Sequence, residues 1–478
     1  MLGILKQKVI KVNKIKKILA ILLDLLIGIL ILALIKINII PTKYLVIILG
    51  ALIVFGLIIT VLCFKTKNKV LSVLLILISI ISGLLFSFGI KYIYTTDKFF
   101  SSIEEVTEKS IYYVVVNKDS NFKTLESLKD KNIGIFKDVS NTYIDALTEV
   151  EKEIEIKEKE YDNVNNIIKD LYENKIDSIL LNSNNYNLIE ENLPEFLNKT
   201  KIIKELSVEV IRATKEQLKS YNEPFSMLIS GIDTSGNINN VSRSDVNIVV
   251  TVNPNTHEML LTTIPRDYYV QLHGTTGLKD KLTHAGIYGV DMSMNTIGDL
   301  LEADIDYYLR VNFDTVVKMV DAVGGVEVYS DETFTAYDGT VFNEGTNYLD
   351  GKKALAYSRE RKVFNEGDRK RGIHQQQVIE ALVKKITTSK VLLSKYSEIL
   401  SDLSDSFQTN ISDSMIKHYI RNQIKDMEKW NVTMISLDGA GSYNYTYSMP
   451  GWNLYVMEPD YNTVNKAKEE INKVLNNK

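Results

Sequence analysis

The sequence predicts a membrane-anchored α/β protein on three observations. Three long apolar runs crowd into residues 1–94, the rest alternates short strand-like and helix-like stretches, and Gly, Pro, Asn and Asp punctuate the alternation. That pattern divides the chain into an anchor of three transmembrane helices (1–94), a small α/β domain (95–220) and a larger α/β domain (221–478).

The apolar runs cover residues 18–35, 44–64 and 70–90. Each is long enough to cross a hydrocarbon core of about 30 Å as a helix. A cleaved leader has one short apolar core, so three runs predict a retained anchor. Asp24 interrupts the first run, at a cost of about 2.5–3.5 kcal/mol for a carboxylate at the bilayer centre, and is expected to snorkel or to face another helix. Lys6, Lys8, Lys11, Lys14, Lys16 and Lys17 precede the first run, and Lys65, Lys67 and Lys69 join the second to the third. Only Lys36 and Lys43 lie between the first two. The positive-inside bias therefore predicts a cytoplasmic N-terminus and a multi-pass cell-membrane protein whose residues after about 91 face outward. Work done there has no access to cytoplasmic ATP.

A net charge of −4 over 478 residues gives no general case for nucleic-acid binding. The single cysteine, Cys63, excludes an intramolecular disulfide and a cysteine metal site. An outward-facing domain without disulfides, in a chain heavy in Lys, Ile and Asn, fits a Gram-positive bacterium of low genomic GC content.

In the smaller domain, strands are expected at 111–116, 133–136, 154–157 and 178–181, with helices at 141–149 and 164–173. The stretches TLESLKDKNIGIF (124–136) and IDSILL (176–181) resemble one lobe of periplasmic solute-binding folds. One lobe cannot enclose a solute, so an accessory packing role is the expectation, with a ligand site the alternative. In the larger domain, a strand at 225–232 is followed by a hairpin of strands 246–252 and 259–264 around Asn253-Pro254-Asn255-Thr256, a turn-forming set. Helix 292–302, strand 307–311 and helix 314–323 follow. Gly324-Gly325 ends that helix before strand 326–329. A long helix at 369–388, further helices to 430, strands at 433–437 and 454–457 and a final helix complete the chain.

Seven of the nine arginines fall between 243 and 371: Arg243, Arg266, Arg310, Arg359, Arg361, Arg369 and Arg371. Arginine grips phosphate through a planar fork that lysine lacks, so the cluster points to a phosphate site. The two-residue spacing of Arg359 and Arg361 predicts one side of an extended segment. Asp368, Arg371 and Gln375 share one face of the long helix. Asp233 ends one strand, Asp245 opens the next, and Arg266 lies at a strand exit. Two aspartates beside an arginine cluster suit Mg²⁺, with Mn²⁺ an alternative, because such ions take one or two carboxylates together with phosphate oxygens. An Asx turn for Asp233 and a local cap for Asp245 are the plainer readings.

These segments together resemble the LytR-CpsA-Psr family. The motifs are ISGID (229–233), SRSD (242–245), TIPRD (263–267), KLTHAGIYG (281–289), VGGVEV (323–328), LDGKKALAYSRER (349–361) and DRKRGIHQQQ (368–377). The resemblance implies a mixed sheet flanked by helices, with a polyprenyl tail in an apolar tunnel between them. It implies a phosphotransferase that moves an anionic glycopolymer from a polyprenyl diphosphate carrier to peptidoglycan as a phosphodiester, releasing polyprenyl phosphate. Capsule and teichoic acid are both open as the polymer, and the oligomeric state is open too. Asp233 and Asp245 then resemble the acidic pair around Mg²⁺, either one serving as base. Arg266, Arg359, Arg361 and Arg371, with Arg243, resemble the diphosphate grip. Asp368 and Gln375 resemble the residues that order it, and Lys281 resembles a pocket-mouth residue. His374 stands where the family often has arginine, and no role is carried onto it. A lipid-diphosphate hydrolase, or a protein that binds lipid-linked glycan or regulates its use, is the alternative.

Overall fold

The structure is a computed structural model that describes all residues except 1, 104, 138, 141, 214–218, 233–237, 365–366, 389–406, 427–428 and 478. It divides into two compact units.

The first unit contains α1 (Leu2–Ile37), α2 (Thr42–Lys65) and most of α3 (Lys69–Ile103), with the later helix Asp413–Asp426. Within them Val12–Ile37, Thr42–Lys65 and Lys69–Ser101 are long and apolar enough to cross a membrane. Asp24 faces α2, where the Thr60 hydroxyl donates to its carboxylate at 2.6 Å. Gly56 makes that approach possible, since a Cβ there would lie 2.8 Å from Asp24 Oδ1. Most other apolar side chains on these helices point outward, as lipid-facing side chains do; Leu32 and Leu85 are each more than 60% exposed.

The second unit begins with a five-stranded sheet in the order β3-β2-β4-β1-β5. Its strands are β1 (Glu105–Asn117), β2 (Asn132–Phe136), β3 (Lys157–Tyr161), β4 (Ser178–Asn182) and β5 (Thr200–Ala213). β2 runs parallel to β3 and β4, while β1 is antiparallel to β4 and β5. Helices α4 (Thr142–Glu153), α5 (Val164–Tyr172), α6 (Ser183–Asn192) and α7 (Glu195–Lys199) connect them. β4 is central and buried at every position, which is why SILL reads as a continuous apolar run. The strand expected at 154–157 lies instead at Lys157–Tyr161. Its KEKEY sequence is exposed at four of five positions because β3 is the sheet edge, where charges guard against strand addition. Ile154 still points into the core from the loop before it.

A six-stranded mixed sheet follows, in the order β16-β11-β6-β7-β8-β17. β6 (Phe225–Ile232), β7 (Ser244–Asn253) and β8 (Glu258–Thr263) form an antiparallel meander. The side chain of Asn253 accepts from the backbone N–H groups of Asn255 and Thr256, which makes the β7–β8 hairpin an Asx turn. A two-residue pair, β9 (Tyr269–Val270) and β10 (Asp280–Lys281), leads into the short helix α8 (Leu282–Ala285) and then α9 (Val290–Leu301). β11 (Tyr307–Val311) is parallel to β6.

After α10 (Phe313–Ala322) the chain turns at Gly324 and Gly325, with φ of +75° and +85°, into β12 (Val326–Ser330). β13 (Phe334–Thr335), β14 (Val341–Phe342) and β15 (Gly345–Leu349) form small hairpin pairings, followed by α11 (Gly351–Arg359) and α12 (Asp368–Thr388). β16 (Phe407–Thr409) and β17 (Asn431–Ser436) flank the sheet, β18 (Gly439–Tyr445) pairs with β19 (Asn453–Pro459), and helix Tyr461–Asn476 ends the chain.

One core joins the meander to α9 and the final helix through Leu228, Val249, Leu260, Ile297 and Ile471. Another packs α11 and α12 on β12–β14. A third crosses between the two sheets' domains: Phe136, Tyr161, Ile167 and Ile189 meet Leu272, Ile287, Tyr288 and Met449.

The spacing of Arg359 and Arg361 does not reflect an extended segment. Arg359 is the last residue of α11, and Glu360 is its C-cap with ψ 131°. Asp350 caps the N-terminus by accepting from Lys353 N–H, and the KKALAYSR run has enough helix formers to continue from there.

Candidate active site

The antiparallel pairing of β6 with β7 sets Ile232, the last residue of β6, opposite Ser244. Asp233, which follows, is outside the described residues. Asp245 lies one residue into β7 and is 8% exposed. Its Oδ1 meets Arg266 Nη1 at 2.9 Å and accepts from the Thr283 hydroxyl at 2.9 Å. The backbone reinforces this pair, because Thr283 N–H donates to the Arg266 carbonyl at 2.7 Å. Burial works against ionising Asp245, but Arg266, Arg243, the Thr283 hydroxyl and Arg371 together hold its carboxyl below the usual range.

The next residue, Asp267, is also buried. It pairs with Lys281 Nζ at 3.2 Å and lies 3.5 Å from Arg266 Nε. Lys281 is thereby tied to the Arg266 loop. Gly286 packs against the backbone of Ser242 and Ser244, where a Cβ would come within 2.6–2.7 Å, so the KLTHAGIYG segment lies directly beneath SRSD.

Arg243 closes a two-bond fork on Glu191, at 2.9 and 2.8 Å. Burial lowers its pKa, but Glu191 and Asp245 raise it by more and keep it charged.

α12 reaches the same region. A Cβ at Gly372 would lie 3.2 Å from Thr263 at the end of β8, and Gln376 donates to the Ile435 carbonyl of β17 at 2.7 Å. Arg371 therefore stands beside the strand exit, consistent with its field on Asp245. Asp368 opens α12, and its side chain is outside the described residues. Gln375 donates to the Ser358 carbonyl at 3.3 Å and so ties α12 to the end of α11, one residue before Arg359. The Arg359 guanidinium lies over the Tyr337 ring at 5.6 Å. Arg361 is exposed, and its N–H and that of Lys362 are held by the buried Glu360 carboxylate at 2.9 and 2.8 Å.

His374 is buried against the rings of Phe334, Tyr357 and Phe364, and burial pushes its pKa down to about 4. A neutral aromatic there does packing work that a guanidinium would not.

The structure thus gathers Asp245, Arg266, Arg243 and Arg371, and attaches Lys281 to them through Asp267. Arg359 and Arg361 sit on a separate turn that Gln375 and Glu360 fix. Four contributors were missed from the sequence: Thr283, Asp267, Glu360 and Glu191. The adjacency of Asp267 to Arg266, and of Glu360 to Arg359 and Arg361, was a usable signal; Thr283 and Glu191 act across the fold.

The LytR-CpsA-Psr family model matches residues 195–470, more than half of the chain. The chain belongs to the LytR-CpsA-Psr family. A second family model, described as NMT1/THI5 like, matches residues 99–229, which include the five-stranded sheet. Among curated relatives, a Bacillus mycoides protein named polyisoprenyl-teichoic acid–peptidoglycan teichoic acid transferase TagU is 39% identical over 211 residues, 44% of this chain and 65% of its own length. The Enterococcus faecalis protein of the same name is 40% identical over 213 residues, 44% of this chain and 69% of its own. The chain therefore spans about two thirds of the length of these relatives. The crystal structure of Bacillus subtilis TagV is 31% identical, with 53% of this chain and 98% of that one covered and a TM-score of 0.44. The LytR-CpsA-Psr match takes in SRSD, TIPRD and the α11–α12 segment, so every residue of the cluster except Glu191 falls inside it.

Proposed function

We propose that this protein transfers an anionic glycopolymer, teichoic acid or a polymer like it, from a polyprenyl diphosphate carrier to peptidoglycan on the outer face of the cell membrane. The observation that carries this reading is a buried carboxylate, Asp245, kept ionised beneath several guanidiniums. Such a cluster suits a diphosphate, whose transfer is mainly a matter of positioning and charge neutralisation. The TagU proteins of B. mycoides and E. faecalis, similar over 44% of this chain, carry that activity in their names.

In this reading residues 1–94 anchor the chain with its N-terminus in the cytoplasm, 95–220 buttress the outer domain, and 221–478 carry the chemistry. The guanidiniums of Arg266, Arg371, Arg359 and Arg361 hold the diphosphate, Arg243 lies at its edge, and Lys281 stands at the mouth. Gln375 and Asp368 order the α11–α12 corner. A hydroxyl of peptidoglycan, taken as the 6-hydroxyl of N-acetylmuramic acid, attacks the glycan-side phosphorus. The new P–O bond forms as the bond to the bridging oxygen breaks, and polyprenyl monophosphate leaves. Asp245 is a weak base because its neighbours stabilise the anion. The hydroxyl proton goes to one of the acidic pair, Asp233 or Asp245.

Among the described residues no three Asp, Glu, His or Cys side chains converge as a metal cage. A cation here would depend on one or two carboxylates and on substrate oxygens, which is how Mg²⁺ is held. Asp245 and Asp233 would hold it, and when bound it supplies positive charge against the phosphate oxygens.

The test uses the full chain in detergent with a polyprenyl diphosphate-linked saccharide, Mg²⁺ and peptidoglycan fragments, read by mass spectrometry. The expected product is saccharide joined to peptidoglycan through one phosphate. Arg266→Ala should lower its formation by about a hundredfold or more, the loss typical when charge stabilisation of a transition state is removed. Near-normal turnover by a folded Arg266→Ala protein would remove the arginine grip from the mechanism.

A further inference from the structure

Arg243 stands out in the cluster because its ion-pair partner comes from another domain. Glu191 is the penultimate residue of α6, in the five-stranded unit, and lies before the residues matched by the LytR-CpsA-Psr model. Both Nη groups of Arg243 bond to its two carboxylate oxygens, at 2.9 and 2.8 Å. A carboxylate held this way takes two of the five guanidinium N–H groups and leaves the others to meet an anion.

The backbone leading to Arg243 is held by the same unit. Val241 N–H donates to the Lys109 carbonyl at 2.9 Å, and Lys109 N–H donates to the Asn239 carbonyl at 2.7 Å. The buried side chain of Asn184, on α6 itself, donates to the Val241 carbonyl at 2.9 Å. From the other side Gly286 lies against Ser242 and Ser244. Main chain and side chain of Arg243 are thus both fixed, and its charge acts on Asp245. A half-exposed ion pair adds little to folding stability. Its two-point geometry is better accounted for by the site than by stability.

We propose that Glu191 is a positioning residue for the transfer reaction: it orients Arg243 toward the diphosphate, so that the five-stranded unit completes an active site that the family domain builds only in part. This rests on the phosphotransferase reading given above.

The experiment compares the full-length chain with Glu191→Ala, Glu191→Asp and the charge swap Glu191→Arg/Arg243→Glu. Transfer kinetics, thermal unfolding and calorimetric binding of inorganic pyrophosphate are measured for each. Glu191→Ala should unfold at the wild-type temperature, yet lose about tenfold in kcat/KM for the lipid donor and bind pyrophosphate more weakly, as expected when a phosphate contact is misplaced. Glu191→Asp, which keeps the charge, should recover part of the loss. The charge swap should fold normally and remain inactive, because an ion pair alone does not restore a guanidinium at the phosphate.

A Glu191→Ala protein as fast as wild type, or faster, overturns the proposal while leaving the transferase reading intact. So does an active charge swap. If wild type shows no transfer but binds pyrophosphate, weaker binding by Glu191→Ala supports the positioning role even though the transferase reading fails, and equal binding overturns it. Should wild type neither transfer nor bind pyrophosphate, the reading of the site and this role fall together.

Discussion

Replacing Thr283 with valine removes one hydrogen bond from Asp245 while keeping the shape of the side chain. The Thr283 hydroxyl donates to Asp245 Oδ1 at 2.9 Å in a setting where the carboxylate is 8% exposed. A hydrogen bond to a charged group contributes about 1.5–3 kcal/mol, and one pKa unit corresponds to about 1.4 kcal/mol. Arg266, still 2.9 Å away, limits the loss to the lower part of that range. The Asp245 carboxyl should therefore rise by about one unit, from a value below the ordinary one. A depressed carboxylate stabilises the fold above the unfolded-state pKa, and that contribution disappears as pH falls through the folded-state pKa. Thr283→Val should accordingly shift the acid limb of the transfer rate upward by about one pH unit and leave the rate at pH 7 close to wild type. The assay is product formation by mass spectrometry from about pH 2 to 8, which brackets a limb below the ordinary carboxylate range, with folding followed by circular dichroism. An unmoved acid limb would mean that Thr283 does not sustain the charge on Asp245. A collapse of rate at pH 7 would mean that Thr283 acts on the substrate directly. Either result refutes the electrostatic account of this pair.

Burial pushes the His374 pKa down to about 4 from an ordinary 6.5. The unfolded chain therefore binds the extra proton first, and stability should fall by up to about 3 kcal/mol as pH drops from above 6.5 toward 4, then level off. Denaturant unfolding at several pH values should show this slope, and His374→Phe should flatten it. Glu108 and Arg310 are each 2% exposed and 3.5 Å apart, and Glu108 also receives Val290 N–H at the start of α9. Glu108→Gln removes the carboxylate from a buried guanidinium and should cost about 3 kcal/mol, read as a lower unfolding temperature of the two α/β domains.

The fold was legible wherever local chemistry decides structure. The apolar runs at 18–35, 44–64 and 70–90 became helices because length and hydropathy alone specify a span. The Asn253 turn was legible because its side chain bonds two residues ahead, and Gly324-Gly325 because both need positive φ. β3 was misplaced because an edge strand has no apolar alternation to read. α11 was misread at Arg359 because a two-residue spacing fits either a strand or a helix end, and only the Asp350 cap decides. Within the site, Arg266 and Asp245 were visible as residue types at strand ends. Thr283 meets Asp245 across 38 residues and Glu191 meets Arg243 across 52, and no periodicity in a single sequence encodes such pairings.

The five-stranded unit packs against the larger domain at the edge where open sheets of its kind offer a ligand crevice. Open sheets of this kind bind ligands in the crevice beyond the C-terminal ends of their parallel strands. Here those ends are Phe136 on β2, Tyr161 on β3 and Asn182 on β4. Phe136 and Tyr161 are buried in a core shared with Tyr288 and Met449 of the larger domain, with Trp452 packed against it. Asn163, just past β3, donates to the Pro450 carbonyl at 3.4 Å, and Asn182 spends its side chain capping α6. The crevice is thus filled by the larger domain. A small solute would have to displace a packed core to enter, at a cost that grows with every buried side chain exposed. The same docking carries α6, and with it Glu191, to Arg243. Filling the crevice and clamping the arginine are one arrangement, and it favours a buttress over a receptor.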